Sequence, residues 1–288
     1  FNITPFYGEG GGQIGDTGWL SGGEERIRII DTKKENGLTI HVSEQLPSDL
    51  TRSFVATVDA HRRELIANNH TATHLLDHAL REVLGNHVEQ KGSYVGEERL
   101  RFDFSHFQKV TDEELHKVAA IVNRLIRQNL ILEEFRAIPM TEAQKMGAIA
   151  IFGEKYGDLV RVIKYGDSIE LCGGTHVRAT GQIGFFKILN ESSVSAGVRR
   201  IEAITADKAE EYIVNSFSLV AEIEKMFKSN RNVIENITSL LQENEGLKKD
   251  LEKFEGESLR IMKEGVKNEI AVEKGINMIY KVMSLPQP

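Results

Sequence analysis

Leu65-Ile66-Ala67-Asn68-Asn69-His70-Thr71-Ala72-Thr73-His74-Leu75-Leu76-Asp77-His78-Ala79-Leu80 is the stretch on which the reading of this chain turns. Leu65, Ile66, His70, Thr73, His74, Leu76 and Leu80 recur at three- and four-residue steps, the period of a helix with one covered face. The spacing predicts a helix from 59 to about 86, with Gly85-Asn86 as its stop. His70 and His74 then stand one turn apart on one face, about 6 Å along the axis. That suits two ligands of one metal ion. His74 and His78 also share a face. However, His70 and His78 are about 12 Å apart in rise and cannot meet at one ion, so His78 reads as a surface or capping residue.

Upstream of this helix, glycines at 8, 10, 11, 12, 15, 18, 22 and 23 break up any other. Ile27–Ile30 and Leu38–Val42 read as strands joined through Asn36-Gly37, a hairpin signal, and Phe54–Val58 as a further strand. Residues 1–58 are therefore expected to form a small β-barrel-like domain or a compact sheet. Gly10-x-Gly12-x-x-Gly15 matches a dinucleotide fingerprint by letters only. Thr4-Pro5 stands where a strand should lead in, and Asp16-Thr17-Gly18 where a helix should begin.

Downstream, Leu100–Phe104 alternates like a half-buried strand. Thr111-Asp112-Glu113-Glu114 opens a helix to about Asn129 with a capping box. Strands are expected at Leu132–Ala137, Leu159–Tyr165, Phe185–Glu191 and Gly197–Ala206. Residues 59–206 thus read as an α+β domain with a mixed or antiparallel sheet. Between 207 and 268, apolar residues from Phe217 to Phe254 approximate a seven-residue repeat, predicting a helical hairpin or coiled coil. Glu269–Val272 and Gly275–Met283 look like a hairpin across Glu273-Lys274, the start of a further domain over 269–288.

Cys172 is the single cysteine of 288 residues, so no intrachain disulfide can form. Cys172-Gly173-Gly174-Thr175-His176 offers a thiolate and a third imidazole, with two glycines that let them converge. Three histidines and one cysteine would complete a tetrahedral zinc site. A thiol nucleophile is the rival reading, but it leaves the His70/His74 spacing without a purpose. The net charge of −7 argues against non-specific polyanion binding. Residues 52–206 are balanced, with 20 basic and 20 acidic side chains, and form the segment least repulsive to a nucleic acid. No apolar run reaches the roughly 18 residues of a membrane span, and no leader is evident. A soluble cytoplasmic protein without membrane contact is expected, and a start at Phe1 reads as a piece of something longer.

Thr4-Pro5-Phe6-Tyr7 and Gly11-Gly12-Gln13-Ile14-Gly15-Asp16-Thr17-Gly18 together resemble the opening of the editing region of alanyl-tRNA synthetases. The block His70–Leu76, then His87-Val88-Glu89-Gln90-Lys91-Gly92-Ser93, is similar to that family's next motifs. Leu100–His106, Cys172–His176 and Ala196–Ala203 follow in the same order. The resemblance covers about residues 4–206, and the segment after Asp207 is similar to the family's helical linker.

The resemblance implies hydrolysis of the ester in tRNA(Ala) mischarged with serine or glycine. It makes His70, His74, Cys172 and His176 zinc ligands. It places Thr73 and Gln90 in the editing pocket, and with Cys172 they form the expected catalytic set. The family's aminoacylation domain would precede Phe1, so alanine activation is not expected of this chain. Arg62, Arg63, Lys91, Arg199 and Arg200 lie close to the motifs and are candidates for RNA contact. The expected partner is tRNA(Ala), above all its aminoacylated 3′ end, with a homodimer through the helical segment. A free-standing editing protein and a non-catalytic tRNA-binding module with structural zinc are the alternatives.

Overall fold

A computed structural model describes residues 3–150, 156–227 and 232–279. The chain divides into two compact units, residues 1–214 and 215–288.

The first unit opens with β1 (Gly18–Gly22), β2 (Glu25–Glu35), β3 (Leu38–Ser43) and β4 (Val55–Val58), an antiparallel sheet in the order β3-β2-β1-β4. Asn36 and Gly37 take positive φ values of 50° and 79°, and Glu35 pairs with Leu38 across them. This is the two-residue turn that matches strand twist. Phe6, Leu20, Ile27 and Ile29 are buried on one face, with Phe54, Ala56 and Val58 packed against them. The expected barrel is not formed. Among the described residues no pairing joins β3 to β4, and four strands are too few to close around a core.

There follow α1 (Ala60–Leu84), β5 (Gln90–Val95), β6 (Leu100–Ser105), α2 (Asp112–Arg127), β7 (Glu133–Pro139) and α3 (Met140–Lys145). Next come β8 (Leu159–Tyr165), β9 (Ser168–Leu171), β10 (Lys187–Ser195), β11 (Val198–Ile204) and α4 (Ala206–Met226). One sheet runs β10-β11-β6-β5 and another β7-β8-β9. All their strand pairs are antiparallel, so the sheets are not mixed.

Asp59 caps α1 by accepting from the Arg62 amide at 3.1 Å, and the Gly85 amide closes its other end on Arg81 O. Thr111 and Glu114 form the capping box of α2. Leu75, Leu76 and Leu80 of α1 pack with Val118 and Val122 of α2 and Phe102, Phe104, Ile201 and Ala203 of the sheet. α1 is buried well beyond this apolar face: Asn68, Asn69, His70, Thr71, Thr73, His74 and Asp77 are buried too. Burying so many polar groups is tolerable only where they find partners.

The glycine-rich loop before β1 ties the N-terminal sheet to the rest of the unit. Gly12 O accepts from Val95 N at 2.8 Å, and Ile14 N donates to Val95 O at 3.1 Å. The loop thereby covers the free edge of β5. Gly12 has a φ of +82°, and a Cβ there would lie 2.2 Å from Ser93 Oγ. The strand β1 follows this loop, not the helix that dinucleotide binding requires.

The second unit contains α5 (Val233–Asn268), β12 (Ala271–Glu273) and β13 (Ile276–Met278). Within the segment expected to form a helical hairpin or coiled coil lies this long helix, whose Leu241, Leu247, Leu251 and Phe254 are exposed. The hairpin turns at Lys274-Gly275, one residue later than expected, because both take positive φ. Residues 280–283 of its predicted second arm lie outside the described residues. Among the described residues, no helix is long and apolar enough to cross a membrane.

Candidate metal centre

α1 carries His70 and His74 on its buried face, and the loop after β9 carries Cys172 and His176. One donor atom from each of the four lies within 4.8 Å of the others. Cys172 Sγ is 3.4 Å from His70 Nε2 and 3.2 Å from His176 Nε2. Ideal tetrahedral zinc bonds place such donors roughly 3.3–3.6 Å apart. His74 Nδ1 is buried and has no hydrogen-bond partner among the described residues, as a nitrogen facing an ion would be. The donor set and this orphaned atom fit a metal.

The surroundings hold the ligands in place. His70 Nδ1 lies 2.6 Å from Gln13 Oε1, and His176 Nδ1 lies 3.1 Å from Thr71 Oγ1. His74 Nε2 is 3.4 Å from the Glu170 carboxylate. Arg161 donates to Cys172 O at 2.9 Å and to Gly174 O at 2.7 Å, while its Nε bonds Glu134 at 2.6 Å. Beneath the loop, the Tyr165 hydroxyl donates to Val177 O, and burial pushes Tyr165 up to about 12. Gly174 has no room for a side chain, because a Cβ would sit 2.1 Å from His70 Cε1.

Burial, reinforced by Arg161, brings His70 down to about 3. Burial first, and then neighbouring histidines and Arg161, hold His74 and His176 well below the usual imidazole range. All three rings are therefore neutral at pH 7, the form that ligates metals. Burial, together with the charge of Asp77, pushes Glu170 well above the usual carboxylate range.

A cavity of about 250 Å³ opens beside the cluster. His70, His74 and Cys172 line it together with Thr73 and Gln90, while Tyr7 reaches it from the segment before β1 and Lys34 from β2. Thr73 Oγ1 donates to Asn69 O at 2.8 Å, and Gln90 Nε2 donates to Ser93 Oγ at 3.1 Å. His176 faces a second cavity on the other side of the loop.

Two family models match the chain. "Threonyl and Alanyl tRNA synthetase second additional domain" covers residues 160–202, from β8 through the cysteine loop to β11. "tRNA synthetases class II (A)" covers residues 1–62. An alanine–tRNA ligase of Bacteroides fragilis is 53% identical over 285 residues, 99% of this chain and 33% of the relative. Those of Parabacteroides distasonis and Cytophaga hutchinsonii are each 50% identical, over 97% and 99% of the chain and 32% and 33% of the relatives. Over nearly its whole length, this chain is similar to one segment of alanine–tRNA ligases. It spans about a third of the length of these curated relatives. The matches bear out the synthetase resemblance read from the motifs.

In this ligase-like segment the five cations chosen from sequence all have acidic partners. Arg62 bonds Glu97 at 3.0 Å and Gly15 O at 2.7 Å, and Arg63 pairs with Asp16 and Pro5 O. Arg199 makes a two-bond pair with Glu191, Arg200 with Asp103, and Lys91 bonds Glu89. Arg62 and Arg63 thus fasten the glycine-rich loop to α1. Sequence reasoning did not single out Gln13, Thr71, Glu170, Arg161 or Lys34. The signal available for Gln13 was its place in the Gly11–Gly15 block.

Proposed function

We propose that this chain hydrolyses the ester of tRNA(Ala) mischarged with serine or glycine, and that its four-ligand cluster holds zinc. The supporting observation is that His70, His74 and Cys172 share the wall of one small cavity with Thr73 and Gln90. A synthetic site for alanine separates it from a substrate differing by one methyl by only about 1–3 kcal/mol, so a second, hydrolytic site adds the missing discrimination. Bound zinc would supply a Lewis-acidic anchor at the cavity wall and fix its ligands.

The chain's own groups orient the ester. Thr73 Oγ1 spends its proton on Asn69 O, so toward the cavity it offers an acceptor for a serine hydroxyl. Gln90 Oε1, whose amide NH₂ is held by Ser93, is an alternative acceptor for the hydroxyl's single proton. Cys172, neighbouring Arg161 and two imidazole nitrogens, acts as a ligand and not as a free nucleophile. The 3′ end enters as single strand, with phosphate contact from Lys34 at the cavity and from the outer N–H groups of Arg62, Arg63, Lys91, Arg199 and Arg200. The exposed apolar residues of α5 support a homodimer formed by pairing of this helix between copies.

Incubating the chain with seryl-, glycyl- and alanyl-tRNA(Ala) tests the activity. Seryl and glycyl release should exceed alanyl release by at least about tenfold. Equal rates for the three esters remove the editing claim. A second reading, a non-catalytic tRNA-binding module, is favoured by the closure of the cluster by four protein donors. It requires tRNA binding with the seryl ester left intact.

A further inference from the structure

We infer that Gln13 is a positioning residue for the metal centre, so that the N-terminal glycine-rich loop completes a site whose ligands all lie elsewhere in the chain. This rests on the metal-binding reading of His70, His74, Cys172 and His176.

The Gln13 side chain is fully buried and touches both halves of the centre. Its Oε1 lies 2.6 Å from His70 Nδ1 on α1 and accepts from the Thr175 amide at 2.9 Å. Its Nε2 donates to Thr175 Oγ1 at 3.0 Å. Thr175 lies inside the Cys172–His176 loop, so one amide group joins segments 57 and 162 residues away from it. The three bonds also fix which way the amide faces. Flipped, its NH₂ group would confront the Thr175 N–H and lose both acceptor bonds.

The chemical consequence falls on His70. A ligating imidazole that donates its second N–H to an acceptor is held in one tautomer and one ring orientation. With Nδ1–H directed to Gln13, the lone pair of Nε2 points toward Cys172 Sγ, 3.4 Å away. Gln13 is itself held from behind. Its backbone exchanges two 3.0 Å bonds with Gly10, and Gly12 and Ile14 pair with Val95. Gly174 packs against both partners, since a Cβ there would lie 2.1 Å from His70 Cε1 and 2.7 Å from Gln13 Oε1. Nothing larger than hydrogen fits between the loop and this pair.

The test compares the wild-type chain with Gln13→Met and Gln13→Glu. Zn²⁺ affinity is read by competition with a chromophoric chelator, and geometry by the visible absorption of the Co²⁺ form. Methionine keeps the volume and removes the acceptor. Glu keeps the acceptor for both His70 and Thr175, whose hydroxyl can turn to donate. Gln13→Met should bind Zn²⁺ about 10–100-fold more weakly, with a shifted Co²⁺ spectrum and an unchanged far-ultraviolet dichroism. Gln13→Glu should stay within about threefold of wild type. Wild-type affinity and spectrum in folded Gln13→Met overturn the inference. If Gln13→Met does not fold, Gln13→Glu decides, and a tenfold loss there overturns it. A wild-type chain that takes up neither ion defeats the metal reading itself, and Gln13's role falls with it.

Discussion

Gly174 and Glu134 show how single residues build the centre. Adding one carbon at Gly174 places it 2.1 Å from the His70 ring, on a loop that Arg161 pins by two carbonyls. Neither partner can retreat cheaply. Gly174→Ala should therefore weaken Zn²⁺ binding by more than about tenfold, as chelator competition would show. Glu134 anchors Arg161 from the other side. Its bonds to Arg136 and then to Arg161 hold it down to about 2, against an ordinary 4.5. A carboxylate with a depressed folded-state pKa stabilises the fold above the unfolded value, and that contribution disappears as pH falls toward the folded one. Thermal midpoints of the wild type should thus fall more steeply between pH 4.5 and 2 than those of Glu134→Gln. Parallel curves would deny Glu134 this role.

At the level of elements, local chemistry was readable where it was strong. The Asn36-Gly37 hairpin, the Thr111 capping box and the period of α1 each need only neighbouring residues. Thr111→Ala removes the acceptor for Glu114 N and should destabilise the first unit by about 1 kcal/mol, seen as a lower denaturation midpoint. Metal affinity should be unaffected, since the box lies outside the centre. Elements missed from sequence are those that exist through pairing. β1 is bounded by glycines, β5 contains Gly92 and a register shift, and β9 has four residues. Each is held by pairing with the strand next to it in sequence, and β1 also with the distant β4, contacts that no local period announces.

At the scale of the whole molecule, a net charge of −7 must be reconciled with the proposed RNA substrate. All five expected contact residues are already paired with carboxylates, which lowers what each can offer a phosphate. Lys34, exposed at the cavity, becomes the more important cation. Deacylation at subsaturating tRNA should fall as salt rises. Lys34→Ala should lower that rate several-fold and flatten the salt dependence, whereas an unchanged slope would place the phosphate contacts elsewhere.

The amino-acid order by itself determined the helix that presents two imidazoles on one face, the glycine-flexed Cys172–His176 loop and the donor chemistry of a zinc-type site. Those follow from the 3.6-residue period and from side-chain identity, both local properties. Only the tertiary structure decided that the two motifs meet, and that Gln13, Thr71, Glu170 and Arg161 surround them. It also decided that Arg62 and Arg63 brace the glycine-rich loop. Such contacts join residues from about fifty to more than a hundred and sixty positions apart. They arise from how the sheets and α1 pack, a global balance of burial and hydrogen bonding that no short window of sequence contains.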